Sequence, residues 1–150
     1  MRVCVKYEEI CTHSFHDGEQ YGSWEESYSS SIDEVYILED KENGPYCSEV
    51  FLLPDGTEKA YVVYMIYDTG DSFGRADGKI SIIHCTADEI AAHTIAKMIQ
   101  EHPDTYSFKF TDDFGREINL YNPGSGYFES ISHVDVDTFN LGRRKRYKIN

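Results

Sequence analysis

At 150 residues, with 40% hydrophobic and 14% aromatic side chains, the chain is long enough for one buried core and too rich in Tyr and Phe for a disordered polymer. Fourteen Lys and Arg stand against 27 Asp and Glu, a net charge of −13. That balance excludes a general nucleic-acid binder and a protein that docks on anionic lipid, because both must neutralise phosphate with cations.

The charge is unevenly spread. Residues 143–150 carry five bases and no acid, whereas residues 1–58 carry 14 acids and three bases. The sequence therefore divides into a single acidic domain over 1–142 and a basic tail over 143–150. No stretch approaches the ~18–20 apolar residues of a membrane span, and Met1 to Tyr7 holds no signal-peptide core. Cys4, Cys11, Cys47 and Cys85 are scattered and form no CxxC pair, which predicts reduced thiols in a cytosol.

In chain order, residues 2–12 alternate Val3, Val5 and Tyr7 with Arg2, Lys6 and Glu8, the period of a half-buried strand. The polar stretch 16–23 reads as a loop. A second strand runs from Trp24 to Leu38, broken by Asn43-Gly44-Pro45, and a third from Tyr46 to Leu53, ended by the turn Pro54-Asp55-Gly56-Thr57. Residues 60–67 are apolar on both faces, the pattern of a central strand covered on both sides. A loop over 68–79 leads to a strand over 80–85. Thr86-Ala87-Asp88-Glu89 has capping-box spacing, so a helix is predicted over about 87–102, with Ala91, Ile95, Met98 and Ile99 as its apolar stripe. Tyr106, Phe108 and Phe110 form an amphipathic strand, Asp112-Asp113-Phe114-Gly115 turns into Ile118 to Tyr121, and Tyr127 to Phe139 is the last strand. Gly18, Gly56, Gly70, Gly74, Gly115 and Gly126 are the expected positive-φ positions. These elements predict an α+β fold, a mainly antiparallel sheet of seven or eight strands with one amphipathic helix packed on one face.

Catalytic signatures are mostly missing: there is no GxSxG, P-loop, GxGxxG or HExxH. Gly70-Asp71-Ser72 is a triplet that presents a nucleophile in some serine hydrolases, and His84, His93 or His133 would have to reach Ser72. The Asp-x-x-His of one such branch is absent, since Ser130 stands three residues before His133. Asp68, Asp71 and Asp77 suggest calcium, but from Asp68 the third position is Gly70 and the twelfth is Lys79, which rejects an EF-hand loop. Cys11-x-His13-x2-His16 is the best metal candidate, with Cys47 or His84-Cys85 as a distant completion. A thiol and two imidazoles at a strand end is the simpler reading, so neither metal nor cofactor is expected.

The blocks His13-Ser14-Phe15-His16-Asp17-Gly18, Tyr21-Gly22-Ser23-Trp24-Glu25-Glu26, Tyr64 to Gly74 and Asn122-Pro123-Gly124-Ser125-Gly126-Tyr127-Phe128 resemble small uncharacterised accessory proteins of tailed phages and prophages. The likeness spans roughly residues 3–140, and Thr69-Gly70-Asp71-Ser72-Phe73-Gly74 is its most specific part. It implies an accessory product in a bacterial cytosol and supplies no catalytic role. In that context the acidic surface points to an inhibitor that occupies a basic groove on a host protein, such as a nuclease or defence effector, partly as a nucleic-acid mimic. Glu25, Glu26, Asp33, Glu34, Glu39, Asp40 and Glu42 are the expected contact residues, with no direct nucleic-acid or membrane contact. The alternative is a binder that sequesters a nucleotide signal, its phosphate cradled by Thr69, Gly70, Asp71, Ser72, Phe73 and Gly74 with Arg75 as a cation.

Overall fold

A computed structural model describes residues 1–16, 23–38, 47–70, 74–101, 107–121 and 128–141. Its elements are β1 (Arg2–His16), β2 (Ser23–Ile37), β3 (Glu49–Leu52), β4 (Lys59–Gly70), β5 (Gly74–Thr86), α1 (Glu89–Glu101), β6 (Ser107–Thr111), β7 (Glu117–Tyr121) and β8 (Phe128–Asn140). Six strands form one sheet in the order β3-β1-β2-β5-β4-β8, and β6-β7 is a separate hairpin, so the fold is α+β with eight strands among the described residues. All pairings are antiparallel except β2 with β5, which run parallel over Trp24–Ser27 and Gly74–Asp77 only.

Strand β4 organises the molecule. Its alternating side chains enter two cores: Ala60 and Val62 join Val3, Val5, Val35, Leu53, Ile80 and Ile82 on one face. On the other face Tyr61, Val63 and Met65 meet Ala92, Ile95, Ala96 and Ile99 of α1 and Val134 of β8. In a flat sheet β1 would lie three strand spacings from β4, roughly 14 Å. Val3 and Val5 nevertheless share a core with Val62, so the sheet must curl back on itself. The short β2-β5 ladder is the corner of that curl. Phe108 and Phe110 of β6 and Leu120 of β7 close the second core beside the helix.

Several local expectations are corrected. The loop expected over 68–79 is mostly ladder: β4 continues to Gly70 and β5 begins at Gly74, with Gly70 opposite Arg75. Strand β1 likewise runs through His16, opposite Ser23. The helix is capped by Asp88 and not by Thr86: Asp88 Oδ1 accepts from Ile90 N at 3.0 Å and Ala91 N at 3.2 Å. Its buried stripe is Ala92, Ile95, Ala96 and Ile99, rotated slightly from the one expected. Positive φ occurs at Gly56, Gly115 and the unanticipated Gly78, but not at Gly70 or Gly74, which sit in the ladder; Gly18 and Gly126 lie outside the described residues.

The expectation of four reduced thiols is also corrected. Cys4 and Cys47 form a disulfide across Cα atoms 5.7 Å apart, while Cys11 and Cys85 are free. The β1-β3 ladder, with Cys4 opposite Val50, brings the pair together. A cross-link of this sequence separation, 43 residues, restricts the unfolded chain, and chain entropy puts that stabilisation at about 4 kcal/mol. No helix among the described residues is long and apolar enough to cross a membrane.

Gly78 holds the curl together. At φ +80 a Cβ there would sit 2.3 Å from the carbonyl oxygen of Tyr28, so β2 and β5 could not keep their approach. Gly56, at φ +83, has nothing within 4 Å of the same position. Gly56→Ala should therefore cost only the backbone strain of about 1–2 kcal/mol, and Gly78→Ala about 3 kcal/mol or more because backbone must also move. Urea unfolding midpoints check this, and equal losses would contradict the close approach.

Candidate functional site

The long β1-β2 hairpin presents one face to solvent. In β1 the exposed residues Glu8, Ile10 and Thr12 alternate with the half-buried Tyr7, Glu9 and Cys11. They lie opposite Ser31, Ser29 and Ser27, which are exposed on β2. Glu25 continues that face, and Asp33 and Glu34 end it. Both of the last two reach solvent because the ladder slips between Lys6 and Tyr7, which makes Asp33 an extra residue. Ile10 lies within this acidic, serine-rich surface with 57% of its area exposed.

The expected acidic residues therefore do not all share a face. Glu25 and Glu26 are neighbours in an extended strand and point to opposite sides. Glu26 turns inward, where its Oε2 accepts the Tyr28 hydroxyl at 2.6 Å. Asp33 Oδ2 lies 3.7 Å from Lys6 Nζ. Glu39, Asp40 and Glu42 lie outside the described residues. Along β2, the eight steps from Glu25 to Asp33 span roughly 27 Å at ~3.4 Å per residue. Duplex DNA carries one charge per ~1.7 Å of axis, so this strand alone has far lower charge density than a nucleic acid.

The proposed nucleotide loop is a hairpin end. Thr69 and Gly70 belong to β4, and Gly74 and Arg75 to β5; Asp71, Ser72 and Phe73 lie outside the described residues. The nearby cations have carboxylate partners, Arg75 with Asp77 at 3.2 Å and Lys79 with Glu9 at 3.7 Å. Among the described residues no set of three His, Cys, Asp or Glu side chains converges for a metal. Cys11 is half-buried on β1, and His13 and His16 lie further along the same strand.

The structure also forms a site that the sequence did not reveal. A cleft of about 300 Å³ opens between β3, the end of β5 and the β6-β7 turn, lined by Val50, Phe51, Leu52, His84, Cys85, Asp112, Asp113, Arg116 and Ile118. His84 is buried between Phe51 and Phe110, whose rings meet it edge-on at 6.3 and 6.4 Å between centroids. Its Nε2 has no hydrogen-bond partner among the described residues. Asp113 fixes the approach to α1: Oδ1 accepts from Thr86 Oγ1 at 2.5 Å and Oδ2 from Ala87 N at 2.8 Å. Asp112 closes the turn by accepting from the backbone N–H groups of Phe114 and Arg116 and from Arg116 Nε at 3.1 Å.

Electrostatics separates this cleft from a catalytic dyad. Burial pushes the Cys85 thiol up to about 12, with the Asp113 carboxylate adding to the effect. A buried neutral thiol is a poor nucleophile. Burial lowers the His84 pKa, partly opposed by Asp113 and Asp112, so the ring is neutral at pH 7. Burial of Asp112 acts against ionisation, but the backbone N–H groups of Arg116 and Phe114 and the Arg116 guanidinium outweigh it and hold its pKa low.

No protein family matches the chain, and neither a curated protein nor a solved structure matches it. The cleft rests on contacts between distant residues, such as Thr86 and Ala87 with Asp113, 27 and 26 positions apart. Sequence spacing identified His84-Cys85 as chemically notable and Asp112-Asp113 as a turn, without joining the two.

A neutral buried His84 makes folding pH-dependent. Its folded pKa lies below the unfolded value near 6.5, so as pH falls through about 6.5 the unfolded chain binds a proton that the folded chain refuses. Stability from this group is complete above that pH and declines below it. Denaturant midpoints between about pH 8 and pH 5 should fall more steeply for the natural protein than for His84→Phe. Parallel profiles would contradict the assignment.

Proposed function

We propose that this chain is a non-catalytic binding protein of the phage-accessory kind. It uses the outer face of the β1-β2 hairpin against a basic groove on a host protein, such as a nuclease or another defence effector. The observation that supports the reading is the exposure of Glu8, Glu25, Asp33 and Glu34 on one face of a single ribbon. The chain's net charge of −13 acts in the same direction. Charge spaced this widely works by steering a cationic partner into encounter and fixing orientation. The serine rows and Ile10 then supply close contact, and the sheet underneath supplies rigidity. Resemblance to a nucleic acid enters only as a shared preference for the same basic groove.

The nucleotide reading has less support, since Arg75 and Lys79 are matched by Asp77 and Glu9. The Cys4–Cys47 bridge is the point at which a reducing cytosol would act on this protein.

The test compares the natural chain with a variant carrying Glu8→Gln, Glu25→Gln, Asp33→Asn and Glu34→Gln, all exposed positions whose shape is preserved. Each is immobilised and exposed to bacterial lysate, and the retained protein is identified and titrated. Affinity of the natural chain should fall at least tenfold as salt rises from about 0.05 to about 0.5 M. The variant should bind at least tenfold more weakly at low salt, and duplex DNA should compete for the same partner. Binding indifferent to salt and to the four substitutions would overturn the proposal.

A further inference from the structure

The cleft between β3, β5 and the β6-β7 turn lies apart from the β1-β2 outer face and has a chemistry of its own. Its wall contains a carboxylate, Asp113, that forms no ion pair with any cation among the described residues. Asp113 makes two hydrogen bonds, to Thr86 and Ala87, one on each oxygen. A second lone pair remains on each oxygen. Among the described residues Asp113 has no ion pair, whereas its neighbour Asp112 is neutralised by Arg116. The Arg116 guanidinium is doubly engaged, by Asp112 and by the Phe114 ring 5.2 Å away, so it does not make the cleft an anion site.

His84 gives the second, independent observation. It is nine-tenths buried, it forms part of the cleft wall, and its Nε2 is shielded from solvent and without a partner among the described residues. A buried polar atom of this kind is costly unless a ligand or water completes it. A neutral imidazole has one N–H and one acceptor nitrogen, so His84 adds a polar but uncharged group to this wall. The remaining wall is aliphatic and aromatic: Val50, Phe51, Leu52 and Ile118. Val50 and Leu52 are half exposed at its mouth, at 50% and 51%. The Asp113 carboxylate acts on both His84 and Cys85, so it contributes a negative potential along that wall.

We propose that this cleft binds an ammonium or guanidinium group carried on an aliphatic stem. The cationic head donates to Asp113, the stem lies along Val50, Phe51, Leu52 and Ile118, and the His84 ring forms part of the wall beside the head. Two sources present this chemistry: a free aliphatic amine or guanidine, and a Lys or Arg side chain. A volume of about 300 Å³ accommodates one such chain, at the small end of ligand sites.

The experiment is an amide and imidazole NMR titration of the whole protein with agmatine, with N-acetyl-arginine amide and with 1-pentanol. Agmatine should give saturable shifts at Phe51, His84 to Ala87, Asp113 and Ile118, and 1-pentanol should not. Comparable saturation by N-acetyl-arginine amide identifies a side chain as the natural occupant; saturation by agmatine alone identifies a free amine. Asp113→Asn should weaken binding at least tenfold. Since Asp113 also anchors the start of α1, Val50→Trp provides a variant at a half-exposed position that fills the mouth and should abolish binding without unfolding the chain. Equal shifts with 1-pentanol, no saturation by either cation, or unchanged binding in Val50→Trp would each overturn the proposal.

Discussion

Strand β4 has no solvent-facing side through its central residues, and that constraint organises the rest of the structure. Val62 and Val63 are both fully buried although they point in opposite directions. Each face then needs its own cover, and the chain supplies two unlike ones. The β3-β1-β2 ribbon curls over the first face, and α1 with the β6-β7 hairpin lies over the second. The curl depends on a four-residue parallel ladder and on one glycine where two backbones nearly touch.

This arrangement leaves little of the interior for chemistry. The buried side chains are almost all aliphatic, aromatic or thiol, and the buried polar residues among those described are His84 and Thr86. The two recognition surfaces proposed above are therefore both peripheral. One is the outer surface of the ribbon, which covers a core on its inner side and presents carboxylates and hydroxyls outward. The other is the seam where the two covers meet at the end of β5. There β3 comes from the first cover and the β6-β7 turn from the second, and neither seals the gap over His84.

What the sequence disclosed follows from the range of the interactions involved. The two-faced apolar run 60–67, the Pro54–Thr57 turn and the Asp112–Gly115 turn are set by neighbours within a few residues, and each is present; Thr57 N donates to Pro54 O at 3.2 Å, and Asp112 N to Arg116 O at 2.8 Å. Features that join distant segments were not legible. Cys4 reaches Cys47 only because β3 pairs with β1, and Asp113 reaches Ala87 only because the β6-β7 turn folds back to the start of the helix. The same engagement explains the displaced cap: with Thr86 Oγ1 donating to Asp113, Asp88 is the residue that receives the first free helix amides. Glycines at 70 and 74 suggested a loop by composition, but ladder pairing outweighs their weak strand preference: Gly70 on β4 has antiparallel partners on both sides, and Gly74 on β5 pairs in parallel with Trp24 of β2.

Native-state hydrogen exchange tests the central place of β4 most directly, because it reports opening free energy residue by residue. The amides of Val62 to Met65 should be among the slowest in the molecule and should open only with global unfolding, matching the stability measured with denaturant. Those of Ile10 to Thr12 and Ser27 to Ser29, on the outlying half of the ribbon, should open locally and sooner. Exchange from β4 that is faster than from the ribbon, or that proceeds by local opening well below the global stability, would contradict a fold built around a strand buried on both faces.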